Sequence, residues 1–465
     1  MALCAGLAVG VAGQLTGQLD LSRVGSLSQT FDRARDRSPH KSPDKVTDKA
    51  PDGDSVPDGT DQAASSLPDV DEQTARLEAA RTLLTARAAA VKARNKSAWM
   101  SAVDVGDSAF RQRQSVAFDN LIKLPLGQFS FDAERLGPAL TPARVSQVGR
   151  TAWATTVTVS YSLAGFDRAP QSFEATYTLV KRPGGWRLAD DVDGVTPMQL
   201  WDLPGLRVLR GRTGIVIGNA PEARMRDYRA LADSAVRRVS GVWGTDWTSH
   251  VVIVTPSTKG EFARLLSRPA DRGLDQVAAI TQGVIEPGRR AQGDRVVINP
   301  SAFTALQPSG RRVVMTHELT HVAARSSTTS PVPIWLTEGM ADYIGYSGLD
   351  LPPERVASQL LARVRAGKGP TRLPTEVDFD PSRTKIGPSY SAAWLAVSRL
   401  VTLYGQARVV AFYRAVASSA TTGSVVRLDP AERVALVFPT SFGVTEVRFV
   451  QGWKRYLRSL AHSAG

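Results

Sequence analysis

The most informative stretch of this 465-residue sequence is Arg311-Arg-Val-Val-Met-Thr-His-Glu-Leu-Thr-His-Val-Ala-Ala-Arg325. Its apolar residues recur with helical spacing, and it contains the HExxH pattern as His317-Glu318-x-x-His321. Four residues of an α-helix advance by about 400° and roughly 6 Å, so both imidazoles should lie on one face and can bind one cation. The apolar neighbours predict a buried helix, where such groups need a partner. The alternative is two solvated surface histidines.

A third ligand is predicted farther along the chain. A catalytic zinc ion normally takes three protein ligands and leaves its fourth position to water. Glu338 is the candidate, in a segment 333–343 that reads as a second helix after a Ser/Thr-rich loop. Asp342 lies one turn beyond Glu338 and can accept the outer N–H of a ligand histidine, which fixes its tautomer. The pattern therefore predicts one zinc ion per chain.

These residues resemble the gluzincin metallopeptidases, the thermolysin-like group, whose domain would cover residues 205–460. The resemblance implies that zinc is bound by His317, His321 and Glu338. It also implies that Glu318 is the general base toward a zinc-activated water and then the proton shuttle. Asp342 would support a ligand histidine from outside.

The resemblance leads to two further expectations. The family usually lays its substrate antiparallel along an edge strand before the zinc helix, which would be residues 295–299 here. The tetrahedral oxyanion needs a further donor, and Tyr390 resembles the tyrosine that other gluzincins place at the start of a later helix. Its competitors are Tyr343, Tyr346 and Tyr404. The later histidine of thermolysin-like enzymes and the Gly-x-Met-Glu-Asn signature of gluzincin aminopeptidases are absent from the sequence, so endo- versus exopeptidase action stays open.

Residues 74–195 show a different pattern. Helical periodicity covers 75–103 and 110–124, and period-two alternation then predicts antiparallel strands at 153–161 and 173–180. Helices followed by a meander with a Pro-Gly-Gly-Trp hairpin resemble the nuclear-transport-factor-like cone domain. That resemblance implies a binding or spacing role.

The region 205–460 mixes strands and helices at first and is helical after residue 309. Strands are predicted at 208–218, 250–255, 277–285 and 295–299, and helices at 221–243 and 259–266. Strands followed by a helical half indicate an α+β fold. The whole chain is thus predicted to be α+β, with a cone-like helix and antiparallel-sheet domain before a helix-rich catalytic domain.

The first 73 residues predict attachment rather than catalysis. Residues 1–19 carry no charge and include an apolar run, which indicates part of an export signal or membrane anchor. Residues 20–73 become poor in large apolar side chains and predict a disordered linker. These features favour an exported protein at the cell envelope, either membrane-anchored or extracellular.

Composition restricts the partners and the bonding chemistry. The net charge of +13 favours anionic partners such as a cell-envelope polymer or lipid. The basic residues are scattered without interleaved aromatics, which argues against specific nucleic-acid binding. Because Cys4 is the only cysteine, the chain can form neither an internal disulfide nor a cysteine zinc site.

The sequence therefore predicts a zinc metallopeptidase that acts on a peptide or protein substrate. The alternative is a zinc-holding, non-catalytic binding or scaffold module at the cell envelope, in which the first domain carries recognition. Replacement of Glu318 by glutamine separates the two, because only an enzyme would lose cleavage while keeping its metal.

Overall fold

The computed structural model describes residues 2–3, 6–7, 70–268, 274, 277–286, 288–380, 385–418 and 428–463. Nearly all of the predicted export segment 1–19 and linker 20–73 lies outside these residues. The predicted linker is too long, since the first helix already begins at Val70, with Asp71 and Glu72 in its first turn where acidic side chains favour a helix. No helix among the described residues is long and apolar enough to cross a membrane.

The first part of the fold packs helices against a four-stranded antiparallel sheet. Two short strands precede this part in the sequence, β1 (Ala2–Leu3) and β2 (Gly6–Leu7), and they pair with strands of the second part. Its elements are α1 (Val70–Lys92), α2 (Lys96–Ser101), α3 (Ser108–Leu121), β3 (Leu126–Leu136), α4 (Pro142–Val148), β4 (Trp153–Leu163), β5 (Gln171–Arg182) and β6 (Gly185–Asp190). The sheet order β3-β4-β5-β6 is a simple meander.

Two details of this part differ from the sequence prediction. The helix expected over 75–103 is interrupted, because the Asn95 side chain accepts a hydrogen bond from the Ala98 amide and starts α2. Strand β3 was not predicted, although Phe129, Phe131 and Ala133 alternate with polar residues within it.

The second sheet lies closer to the HExxH segment. This region contains β7 (Arg207–Arg210), β8 (Gly214–Gly218), α5 (Glu222–Trp243), β9 (Val251–Thr255), α6 (Lys259–Leu265), β10 (Ala279–Gln282), β11 (Val284–Ile285) and β12 (Arg295–Ile298). Strand β11 belongs to a separate two-stranded sheet with β1, and the other strands join β2 in a six-stranded sheet. The order is β2-β10-β12-β9-β8-β7, with β8, β9 and β12 parallel. The strand predicted over 208–218 is instead the antiparallel hairpin β7–β8.

The prediction that residues 295–299 form an edge strand is wrong. Strand β12 lies inside the sheet, antiparallel to β10 and parallel to β9. All four of its residues are buried, as expected for a strand that is covered on both faces. Strand β10 flanks it, and the outer side of β10 pairs with β2, while β1 pairs with β11.

The remainder of the fold is helical, which confirms the α+β class. Its helices are α7 (Pro300–Ala305), α8 (Pro308–Ser327), α9 (Ile334–Tyr346), α10 (Pro353–Val356), α11 (Ser358–Arg365), α12 (Gly387–Tyr404), α13 (Gln406–Val416), α14 (Pro430–Phe442) and α15 (Glu446–Ser463). Helix α8 packs on α5, α9 and β10, and α9 also packs on α12. One hydrophobic core extends from Trp99 in the first part to Trp453 in α15.

Candidate metal centre

Helix α8 holds the two histidines of the HExxH pattern on its buried side. Pro308 opens the helix, where its missing N–H costs nothing, and the interior is buried by apolar neighbours. His317 and His321 are almost completely buried, and their Nε2 atoms lie 3.0 Å apart. The two rings meet edge to face at 4.7 Å between centroids. One helical turn therefore places two imidazole nitrogens at a common point.

Helix α9 brings two carboxylates to the same point. Glu338 Oε2 lies 3.3 Å from His317 Nε2 and 3.7 Å from His321 Nε2. One turn later, Asp342 Oδ1 lies 2.8 Å from His317 Nδ1. When the His317 ring is neutral and donates its Nδ1–H to Asp342, its lone pair is left on Nε2.

The donor set fits a single metal ion. One atom from each of His317, His321 and Glu338 lies within 4.8 Å of the other two, and all three residues are buried. Glu338 Oε2 makes no hydrogen bond in the described structure. A buried carboxylate oxygen without a partner is costly, and a divalent cation among these atoms would satisfy it. Two histidines and a glutamate are a ligand set that zinc uses.

The protonation of these groups follows from burial and from their contacts. Burial lowers the pKa of His317, but the carboxylates of Asp342 and Glu338 outweigh it and raise that pKa well above its ordinary value. The pKa of His321 lies well below its ordinary value, first because of burial and then because of His317. Burial raises the pKa of the Glu338 and Asp342 carboxyl groups.

Glu318 lies next to the ligands but is bonded elsewhere. It is completely buried, and its Oε2 accepts a hydrogen bond from the Thr281 hydroxyl at 2.6 Å. Its Oε1 has no hydrogen-bond partner in the described structure. Burial raises the pKa of Glu318 to about 7, which suits a group that takes up and releases a proton near neutral pH.

Tyr390 lies in the first turn of α12 and is buried against Phe379, with 5.0 Å between the ring centroids. Its pKa is raised well above the ordinary value, first by burial and then by the charges of three carboxylates. These carboxylates belong to Glu338, Asp342 and Glu318. The phenol is therefore within electrostatic range of the metal-ligand cluster.

The competing tyrosines have other surroundings. The Tyr343 hydroxyl donates to Gln406 Oε1 at 3.2 Å, and the Tyr404 ring packs on Phe442. The Tyr346 ring packs on Trp394, with burial and then Asp342 raising its pKa.

Sequence reasoning missed three residues around the centre. Thr281 binds Glu318 from strand β10, and Tyr413 is hydrogen-bonded to Thr337, the residue before Glu338. Gly339 allows α12 to approach, because a Cβ there would lie 2.5 Å from the Ala393 carbonyl oxygen. Each depends on contacts between distant parts of the chain. Only the glycine left a signal, as a helix-breaking residue inside a predicted helix.

No protein-family model and no curated protein matches this chain. Solved structures similar to it include an M1 zinc metallopeptidase from Deinococcus radiodurans, with 14% identity and a TM-score of 0.32 over 65% of this chain and 61% of the other. Yeast LTA4 hydrolase in complex with bestatin gives 14% identity and a TM-score of 0.26 over 45% of this chain and 32% of the other.

A third similar structure is a mutant M1 zinc metallopeptidase from Deinococcus radiodurans bound to a Tyr-Ser-Ala substrate. It gives 12% identity and a TM-score of 0.31 over 65% of this chain and 90% of the other. This chain thus spans less than two thirds of the first two structures. All three similarities are remote.

Proposed function

We propose that this protein is a zinc-dependent metallopeptidase. The observation that carries the proposal is the convergence of His317, His321 and Glu338 in a buried cluster, with the Oε1 atom of Glu318 left without a partner beside it. A purely structural zinc site is normally closed by four protein ligands. Three donors and an adjacent free carboxylate oxygen are the arrangement of a hydrolytic site.

The described side chains account for the proton transfers that hydrolysis requires. When bound, a zinc ion in such a site polarises a carbonyl oxygen and lowers the pKa of water. Glu318 accepts the proton of the attacking water and delivers it to the leaving amine nitrogen. Burial, which raises the pKa of this carboxyl group, favours its taking up the proton that it then delivers. Asp342 accepts a hydrogen bond from the Nδ1–H group of His317, which fixes the orientation of the imidazole ring.

Tyr390 is proposed as the donor to the oxyanion. The support is its place at the start of α12 and the influence of the three site carboxylates on its phenol. A phenol whose pKa is raised stays protonated at neutral pH and can donate a hydrogen bond to developing negative charge.

The substrate class and location extend the proposal. Peptides or proteins are the proposed substrates, and the enzyme is proposed to be exported and held at the cell envelope by the residues that precede α1. The support is the uncharged apolar run 1–19 and the polar stretch after it. The part from α1 to β6 is proposed as a nuclear-transport-factor-like domain for binding or spacing, supported by its helices and four-stranded meander.

The test measures bound zinc and cleavage of a casein-like substrate by the purified protein. We expect one zinc ion per chain and hydrolysis, and we expect Glu318→Gln to keep the zinc while losing cleavage. Glu286→Gln is the control, since Glu286 is exposed and lies outside the cluster. If the wild-type protein binds zinc but cleaves nothing across broad peptide libraries, it is a zinc-holding scaffold instead.

A further inference from the structure

The Glu318 carboxylate accepts hydrogen bonds from Thr281, from the hydroxyl of its side chain and from its backbone N–H. Thr281 lies on β10 and Glu318 on α8, and both side chains are fully buried. The Thr281 Oγ1 atom lies 2.6 Å from Glu318 Oε2 and 3.1 Å from the Glu318 carbonyl oxygen. A hydroxyl has one proton, and the shorter contact takes it.

This hydrogen bond distinguishes the two carboxylate oxygens of Glu318. Oε2 is fixed by the strand, while Oε1 has no partner in the described structure and stays available. A glutamate side chain has several rotatable bonds, and confining it to one rotamer costs entropy. Because the hydrogen bond to the strand forms during folding, the Glu318 side chain is already confined to one rotamer before a substrate binds.

The strand that carries Thr281 is itself tied to α8. Arg325, one turn beyond His321, donates from Nη2 to the Gly283 carbonyl oxygen at 3.1 Å. The same Nη2 lies 2.9 Å from Asp294 Oδ1, which fixes the guanidinium. Helix α8 therefore contacts this part of the chain twice, through Glu318 at Thr281 and through Arg325 at Gly283. The second contact helps to fix the position of the Thr281 hydroxyl.

We infer that Thr281 is a positioning residue for the general base: it holds one oxygen of Glu318 so that the other receives the proton. The inference rests on the proposed peptidase function. It assigns to β10 a role in the reaction that needs no contact between Thr281 and the substrate.

The first test compares peptide hydrolysis by the zinc-loaded protein and its variants. Thr281→Val keeps the shape of the side chain but removes the hydroxyl, and we expect kcat to fall about 10- to 100-fold with KM and zinc content unchanged. Thr281→Ser restores the hydroxyl and should recover most of the kcat. Thr255→Val is the control, because Thr255 is equally buried in the same sheet and bonds only to a backbone carbonyl.

A second test needs no activity. Without metal, Thr281→Val should lower the urea midpoint of unfolding in the wild-type background, and this shift should shrink in a Glu318→Ala background because the partner is gone. Equal shifts in both backgrounds, or an unchanged kcat in Thr281→Val, would overturn the inference. Absence of cleavage by the wild type would instead reject the peptidase proposal, and the urea comparison would still report on the Thr281–Glu318 contact.

Discussion

The contact between His317 and Asp342 determines which imidazole nitrogen can meet a cation. Asp342 Oδ1 lies 2.8 Å from Nδ1, so the neutral ring carries its proton there and offers Nε2 to the cluster. The ring is fixed by a helix other than its own. The ability of His317 to bind a cation therefore depends on where its proton lies as well as on its distance from the other ligands.

Asp342→Asn should weaken zinc binding by about 10- to 100-fold, the usual effect of removing such a supporting carboxylate. The amide can still accept the Nδ1 proton, but it lacks the negative charge that makes the imidazole a better ligand. The measurement is competition with a chromophoric chelator. Asp350→Asn is the control, because Asp350 is exposed. An unchanged dissociation constant in Asp342→Asn would remove this residue from the site.

Tyr390→Phe should lower kcat by about 10²- to 10³-fold, the usual loss when one oxyanion donor is removed. Zinc content should not change, since Tyr390 is not among the three clustered donors. Tyr343→Phe provides the comparison, because its hydroxyl is bonded to Gln406. Steady-state kinetics on one peptide decide the matter: equal rates for wild type and Tyr390→Phe would exclude the phenol as the donor.

The elements show why part of the site could be predicted from sequence and part could not. The pairing of His317 with His321 follows from the geometry of one helix, because a spacing of four residues is about one helical turn. Thr281 could not be predicted, because its contact with Glu318 depends on the order of strands in a sheet. The edge strand that the family resemblance implied at residues 295–299 depends on the same strand order, and β12 lies between β10 and β9.

Helices α9 and α12 pack so closely that Gly339→Ala should disturb both stability and metal binding. The added Cβ would lie 2.5 Å from the Ala393 carbonyl oxygen, so α9 must move and carry Glu338 with it. We expect a loss of about 1–3 kcal/mol of unfolding free energy, typical of overpacking, and weaker zinc binding. In Gly241→Ala, where the helix has open space, stability should instead rise slightly. Equal behaviour of the two variants in urea unfolding would contradict this packing argument.

A second link between elements should make stability depend on pH. Arg182 on β5 binds Asp104, before α3, at 2.7 and 3.0 Å, and this bond lowers the pKa of the Asp104 carboxyl group. The stabilisation is therefore present above the unfolded-state pKa and is lost as pH falls through the folded-state value. At pH 7, Asp104→Asn should lower the free energy of unfolding by about 1–2 kcal/mol. The loss should not be larger, because the Arg182 side chain is partly exposed and solvent screens the interaction. Urea unfolding should show the difference from wild type shrinking below about pH 4.

Polar contacts close to α8 join the four-stranded sheet to the six-stranded sheet. The β4–β5 loop supplies Asp167, which forms two 2.7 Å contacts with the Arg295 guanidinium on β12. The next residue, Arg168, donates to the Ser326 carbonyl oxygen at the end of α8. These bonds connect the first part of the fold both to the second sheet and to α8, so we expect the first part to stabilise the second.

Asp167→Ala should therefore destabilise the entire protein. Both members of the Asp167–Arg295 pair are at most 4% exposed, and removing one leaves a buried charge without its partner, which typically costs about 3–5 kcal/mol. Glu174→Ala breaks the exposed pair with Arg135 and should cost less than about 1 kcal/mol. Because the larger of the two hydrophobic clusters includes residues of both parts of the fold, we expect Asp167→Ala to lower the urea midpoint of a single transition. If Asp167→Ala shifts the urea midpoint no more than Glu174→Ala does, the stability of the second part does not depend on its contacts with the first.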